Sequence, residues 1–303
     1  MGLVVEGTGQ RRASDTSLVD CPRCGRQRSR AWRASGGWTV RRCAGCGLRM
    51  TWPRPSPTES AELYEAGEYY RVRAMADDTA RQSEERVRSL LARVGHRVET
   101  ALDFGAGRGN LVTALRAMSV AADGVEPSAA ARKLARAEHG LVLHARIDDA
   151  PRATYDLATL VHSLEHVEDP VAVLAAVRSR VAVGGTLFVE VPHASTVELW
   201  RPEPRRWILD LPAHLYHFTP ASLTALIAEA GFRVRDVRLF NCDAVEWLLA
   251  LRTRSSQEPG AGAAAPLVRD APPSPPHDAE RGVLARLRRL VPGRKFQVFA
   301  TLA

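Results

Sequence analysis

The sequence predicts an α/β protein, a doubly wound parallel sheet preceded by a small module built around four cysteines. Three observations carry that prediction. From residue 99 onward, short β-rich apolar runs alternate with Ala/Arg/Leu-rich helical stretches, the pattern of strand-helix-strand units in a parallel sheet. The first run ends in an Asp-x-Gly-x-Gly-x-Gly segment, from Asp103 to Gly109. Nearer the N-terminus, Cys21-Pro-Arg-Cys24-Gly and Cys43-Ala-Gly-Cys46-Gly have 18 residues between them.

Residues 1–57 are read as the cysteine module. Each Cys-x-x-Cys-Gly turn presents two thiolates, and the spacing matches a structural zinc site in which four thiolates leave no open coordination position. Two disulfides or a redox pair are the alternatives. The opening residues 1–12 lack the basic and long apolar stretches of a secretion signal, so an oxidising compartment is not expected. A module of about 30 residues cannot bury a core of its own, and metal binding would supply its folding energy.

Pro53, Pro55 and Pro57 end the module. Residues 58–97 are read as connecting helices, a short one capped by Thr58 or Ser60 and reaching Tyr64, then an amphipathic one over about 77–94. Residues 98–252 form the core. Its candidate strands are 99–104, 122–126, 142–147, 155–161 and 186–191, followed by a helix at 221–230, a strand at 232–240 and a helix at 244–251. The Pro/Ala/Gly/Ser-rich stretch from 253 to about 280 reads as a flexible insertion. Residues 296–302 alternate and are β-rich, so a last antiparallel strand is expected beside 232–240.

Composition narrows the function classes. Of 303 residues, 45% are hydrophobic and 25% charged, which excludes wholesale disorder and fibrous architectures. No apolar stretch approaches the ~18 residues of a membrane span, and the expected location is the cytoplasm. The net charge of +8 belongs to the two ends. Residues 1–60 hold 11 Arg against 4 acidic residues, and residues 253–303 hold 8 basic against 4 acidic. Only Lys133 and Lys295 are lysines, a uniform bias toward Arg that says little by itself. Arg interleaved with Trp32, Trp38 and Trp52 keeps nucleic acid as an alternative partner of the module.

The glycine loop places backbone where a nucleotide-like ligand can approach closely at a topological switch point. It departs from the dinucleotide fingerprint, because Asn110 stands at that pattern's third glycine and Gly109 comes one residue early. Glu126 closes the next strand, 23 residues after Asp103, where a carboxylate accepts ribose hydroxyls.

With these residues in place, the sequence resembles the class I S-adenosylmethionine-dependent methyltransferases over about residues 99–241. LDFGAGRGN is similar to that family's first motif, GVEPS to its ribose-binding strand end, YDLATLVHSLEHVEDP to its fourth strand and following loop, and GGTLFVEVP to its fifth strand. LPAHLYHFTPASLTALIAEAGF resembles its substrate-side stretch and next helix. The four-cysteine module is similar to the zinc-binding lobe of a subgroup that includes deoxysugar C-methyltransferases. The resemblance implies a Rossmann-like seven-stranded sheet, S-adenosylmethionine as donor and a small-molecule acceptor, a sugar or a secondary-metabolite intermediate. It also implies that Gly105, Ala106 and Gly107 line the donor with Asp103 steering the loop, and that Glu126 takes the ribose hydroxyls. Asp148 or Asp149 would take the adenine amine, or belong to a solvated turn, and His162 with Ser163 would flank the methyl donor.

Methyl transfer is an in-line displacement that needs alignment and removal of a proton from the acceptor. Histidine suits that removal at neutral pH. His162, His166 and His193 follow strands at the carboxyl edge, and His214, Tyr216 and His217 lie in the PAHLYHF stretch. His214 is the leading base, because AHLYHF is similar to the EHLxYF stretch of the sugar C-methyltransferases, and His217, Tyr216 and His193 are further candidates. Ala213 stands where that subgroup has glutamate, so O- and N-methylation stay open beside C-methylation. Trp200, Trp207 and Trp247 are candidate walls of an apolar pocket or core residues. Cys242 reads as a buried apolar residue, and His139 and His144 as structural. An RNA methyltransferase guided by the basic zinc module and a non-catalytic partner-binding fold are the other two classes. HSLEHVEDP after the fourth strand differs from the Asp/Asn-Pro-Pro-Tyr/Trp sequence of exocyclic-amine methylases.

Overall fold

The computed structural model describes residues 20–35, 37–56, 58–60, 80–194, 209–239 and 295–302. The expectations for Trp200, Trp207, Trp247, Cys242, the helix at 244–251 and the insertion from 253 lie outside these residues.

Two sheets organise the chain. The small one contains β1 (Ser29–Ser35), β2 (Trp38–Cys43) and β3 (Arg49–Trp52), paired antiparallel in that order. The large one contains β4 (Thr100–Phe104), β5 (Ala121–Val125), β6 (Tyr155–Val161), β7 (Val181–Pro192), β9 (Phe232–Leu239) and β10 (Lys295–Leu302). Its order is β5-β4-β6-β7-β10-β9. The first four strands run parallel, and β10 runs antiparallel to both β7 and β9. β10 therefore lies between β7 and β9, with its apolar side chains buried from Phe296 onward.

Helices α1 (Ala80–Val94), α2 (Asn110–Ala117), α3 (Ala129–His139), α4 (Pro170–Arg178) and α5 (Pro220–Glu229) join these strands. Their starts follow from local chemistry. Ser128 accepts from the Ala131 amide at the start of α3, and Asp169 accepts from Val171 and Ala172 ahead of Pro170 in α4. Thr219 and Ser222 form a reciprocal box ahead of α5. Each arrangement satisfies amides that the first helical turn leaves open.

One expected strand is corrected. Residues 142–147 contribute only a bridge, His144 to Val125, so the described large sheet has six strands. Val142 is 65% exposed and residues 147–149 turn into a 3-10 helix, so within this segment Leu143 is buried and Ile147 packs partly against the core. That is too little alternation to hold a full strand.

The small module and the large domain share a core. Cys21, Cys43, Leu48 and Met50 belong to the same buried cluster as Phe218, Leu226 and Phe296. The two-residue strand β8 (Tyr216–His217) adds to the small sheet by pairing antiparallel with β3, Arg49 opposite His217 and Met50 opposite Tyr216. Arg23 reinforces the contact with two hydrogen bonds to the Glu229 carboxylate, at 2.9 and 2.7 Å.

Candidate active site

The donor side is built at the end of β4. Gly105, Gly107 and Gly109 have φ of 76°, 54° and 84°, a region that only glycine enters freely. A Cβ on Gly105 would stand 2.4 Å from Ser163 Cβ, whereas one on Gly107 would meet nothing within 4 Å. The loop is thus packed beneath Gly105 and open at Gly107, a cradle with room for a ligand against its backbone. Asp103 lies below it and accepts from the Thr159 hydroxyl at 2.6 Å. Ala106 anchors the loop through its amide to the Val125 carbonyl, 3.0 Å away.

Glu126 is buried and braces this cradle. Its Oε2 accepts from the Gly107 amide and its Oε1 from the Ser128 amide, both at 2.8 Å. A carboxylate oxygen can accept more than one hydrogen bond. Asp148 lies farther out, with its side chain 71% exposed and 3.7 Å from both Arg146 and Arg180. Asp149 is likewise exposed.

The loop after β6 carries the strongest electrostatics. His162 has φ of 51°, and its ring lies between two buried carboxylates, Nδ1 3.4 Å from Glu165 Oε1 and Nε2 3.3 Å from Glu190 Oε1. Burial opposes charge on this imidazole, but the flanking carboxylates outweigh it and raise its pKa. Burial would likewise raise the Glu190 carboxyl, yet Lys295, His162 and Arg86 hold it well below the ordinary range. Lys295 donates to Glu190 at 2.9 Å and Gln297 donates at 2.5 Å. Ser163, next along, is buried against Gly105, and its Oγ has no hydrogen-bond partner among the described residues.

Across from this loop sits the PAHLYHF stretch. His214 is 1% exposed and its Nε2 lies 3.8 Å from Asp210 Oδ2. Its ring meets that of His166 edge-on, with centroids 4.7 Å apart. His166 Nδ1 donates to the Ala213 carbonyl at 2.9 Å. Glu165, His166 and His214 each offer a ligand atom within 4.8 Å of the others.

The other candidate bases differ in setting. His217 is buried, and its Nε2 lies 2.9 Å from Thr51 Oγ1. Thr51 donates its own proton to the His214 carbonyl, so the His217 proton resides on Nε2. Burial, then Arg49 and Arg54, push the pKa of His217 down to about 3. The Tyr216 hydroxyl donates to the Glu168 carbonyl at 2.8 Å, and burial raises its pKa. Its hydrogen bond and its pKa both suit a brace better than a base. His193, at the end of β7, is buried edge-on against Phe296.

Sequence reasoning missed Thr51, Glu165 and Glu190. Glu190 had a signal, a lone acidic residue inside the apolar run 186–191. Thr51 had none, because its role depends on the β3 to β8 pairing.

In the module, Cys21 Sγ lies 3.5 Å from Cys46 Sγ, and Cys24 Sγ 3.6 Å from Cys43 Sγ. Sulfurs bonded to one tetrahedral zinc at ~2.3 Å stand ~3.8 Å apart. A disulfide would need ~2.05 Å, so the cysteines are thiols gathered at metal-ligand distance.

A parallel sheet with a glycine cradle at its switch point, braced by an acidic strand end, defines a class I S-adenosylmethionine-dependent methyltransferase. The family described as "Methyltransferase domain" matches residues 69–237, and the chain belongs to it. Among curated relatives, the ubiquinone biosynthesis O-methyltransferase of Pseudomonas paraeruginosa is 29% identical over 168 residues, 50% of this chain and 72% of the relative. The same-named protein of Xanthomonas campestris pv. campestris is 28% identical over 164 residues, 49% of this chain and 68% of the relative. Two solved structures share the fold. A Thermotoga maritima SAM-dependent methyltransferase has a TM-score of 0.51 at 20% identity, covering 80% of this chain and 99% of its own. A Haloferax volcanii methyltransferase, solved in complex with the Trm112 methyltransferase activator, has a TM-score of 0.51 at 17% identity, covering 80% and 96%. No helix among the described residues is long and apolar enough to cross a membrane.

Proposed function

We propose that this chain methylates a hydroxyl of a small-molecule acceptor, with one structural zinc held by Cys21, Cys24, Cys43 and Cys46. The observation that carries the acceptor reading is the Glu165–His166–His214 group, two imidazoles and a carboxylate within 4.8 Å of one another, one loop away from the donor cradle. S-adenosylmethionine, when bound, supplies an electrophilic methyl group. The chain's residues do the rest. Gly105, Ala106 and Gly107 let the donor approach the backbone, and the Glu126 carboxylate takes the ribose hydroxyls. His162 and Ser163 flank the donor side, with the His162 ring held between Glu165 and Glu190. His214 takes the acceptor proton, with Asp210 beside its Nε2 and His193 as a second imidazole at the carboxyl edge. The O-methyltransferase names of the curated relatives support oxygen as the methylated atom. A sugar or secondary-metabolite intermediate is the acceptor class we favour, in the cytoplasm.

The test is transfer of a labelled methyl group from S-adenosylmethionine into an extract of the source cells, separated into small-molecule and macromolecular fractions. Label in the small fraction supports the reading, and label in RNA overturns it in favour of a basic module that binds nucleic acid. With the acceptor in hand, His214→Ala is expected to lower turnover by roughly 10²-fold while donor affinity stays within a few-fold. Unchanged turnover would remove His214 from the chemistry.

A further inference from the structure

We infer that Glu165, His166 and one ring nitrogen of His214 form a second metal site, for a divalent transition-metal cation at the acceptor side of the cleft. Its role in the reaction rests on the methyltransferase reading above, whereas its existence does not. Two imidazoles and a carboxylate are a donor set that suits such cations and leaves coordination positions open.

Three observations converge. The ligand atoms already gather within 4.8 Å of one another, with His166 Nε2 3.9 Å from Glu165 Oε1. Neighbouring ligands around a cation with bonds of ~2.1 Å stand roughly 3.0–3.4 Å apart, so a small closing movement suffices. His166 is also oriented as metal-binding histidines are. Its Nδ1 donates to the Ala213 carbonyl, which fixes the proton there and turns the Nε2 lone pair toward Glu165. Finally, Glu165 is 1% exposed, and its nearest charged partner is His162, whose Nδ1 lies 3.4 Å from Oε1. A buried carboxylate beside imidazole nitrogens is a donor set that a cation can bridge.

The location gives the ion a task. Ser163, two residues before Glu165, packs on Gly105 of the donor cradle, so the cluster borders the place where donor and acceptor meet. An acceptor hydroxyl bound at an open position would lose its proton at neutral pH, because the cation lowers its pKa. With the ion bound, ligation would replace the base role proposed above for His214, and the released proton would pass to solvent or to His193. Asp210, 3.8 Å from His214 Nε2, would orient that ring from outside the ligand set.

The experiment uses the full chain with its cysteine site filled by zinc, titrated with cobalt(II) and read by absorption and by metal analysis. We expect about one additional cobalt per chain, with weak visible bands and no thiolate charge-transfer band, since its ligands are nitrogen and oxygen. Glu165→Gln and His166→Asn should each abolish that uptake and keep the zinc. Absence of the extra cobalt from the unaltered protein overturns the site without any need for variants. Its retention in both variants overturns the ligand assignment. A bound ion together with no methyl transfer to any acceptor would instead count against the proposed function, so the two failures are told apart.

Discussion

Thr51 Oγ1 lies 2.9 Å from His217 Nε2 and donates its own proton to the His214 carbonyl. A side chain of the four-cysteine module thereby links His214 and His217, which the proposed function places at the acceptor side. Loss of this hydroxyl leaves a buried imidazole N–H and a carbonyl without partners, at a cost of about 1–3 kcal/mol for each buried group left unsatisfied. Thr51→Val is therefore expected to lower the unfolding midpoint and cut methyl transfer several-fold, with donor affinity unchanged. Calorimetry of donor binding beside a turnover assay checks it, and a loss confined to donor affinity would refute the link.

The same connection predicts what the cysteine site does for the enzyme. Cys21 and Cys43 lie in one core cluster with Phe218, and β3 supplies the strand on which Tyr216 and His217 are laid. Metal analysis should find about one zinc per chain at this site. Cys21→Ser, or chelation, should release it, lower stability and suppress methyl transfer. Donor binding should persist, because Gly105, Gly107 and Glu126 follow β4 and β5 of the large sheet, whereas the cysteines belong to the module of the small one. Full turnover in the zinc-free protein would show that the module does not hold the acceptor side.

Legibility in the sequence followed the range of the interactions. The donor loop and the cysteine pairs were readable because each is local, a run of glycines after a strand or two thiols on one turn. The return of β10 was readable from its alternation. The bridge at His144 replaced an expected strand because exposed Val142 breaks the buried pattern. The addition of β8 to the small sheet had no signature, since two residues carry no periodicity and their partner lies more than 160 positions away in the chain. Glu190 stood out as a lone acidic residue in an apolar run, but its meeting with His162 across neighbouring strands had no local sign; Glu165 is near His162 in sequence, and only the fold shows that it is buried against it.

Glu126 illustrates how a local signature acquires a second duty. Its position after β5 suggests ribose binding, and its oxygens also hold the Gly107 and Ser128 amides at 2.8 Å. Glu126→Ala should thus disturb both the ribose contacts and the shape of the cradle, weakening donor affinity by roughly 10-fold or more. Glu126→Gln keeps one acceptor oxygen and should retain part of it. Calorimetric titration with S-adenosylmethionine or its demethylated product reads the effect, and unaltered affinity in the Ala variant would withdraw the donor site from this strand end.

The response to acid should identify His217 as a buried neutral imidazole. Its folded pKa, pushed down to about 3 from the ordinary 6.5 by burial and by Arg49, Arg54 and His166, means that the unfolded chain binds a proton that the folded chain refuses. Stability must then fall as the pH drops from 6.5 toward 3, by up to ~1.4 kcal/mol per pH unit for this one group. The upper part of that window separates His217 from other groups. Glu165 and Glu190 have lowered pKa values, so their stabilising charge is lost only below the usual carboxylate range. His162 has a raised pKa, so its contribution is complete below 6.5. Between pH 6.5 and about 5, therefore, His217→Gln should flatten the decline, since its amide can still donate to Thr51 and takes up no proton. Denaturant unfolding at a series of pH values measures the slope, and an equal slope in the variant would assign the acid sensitivity elsewhere.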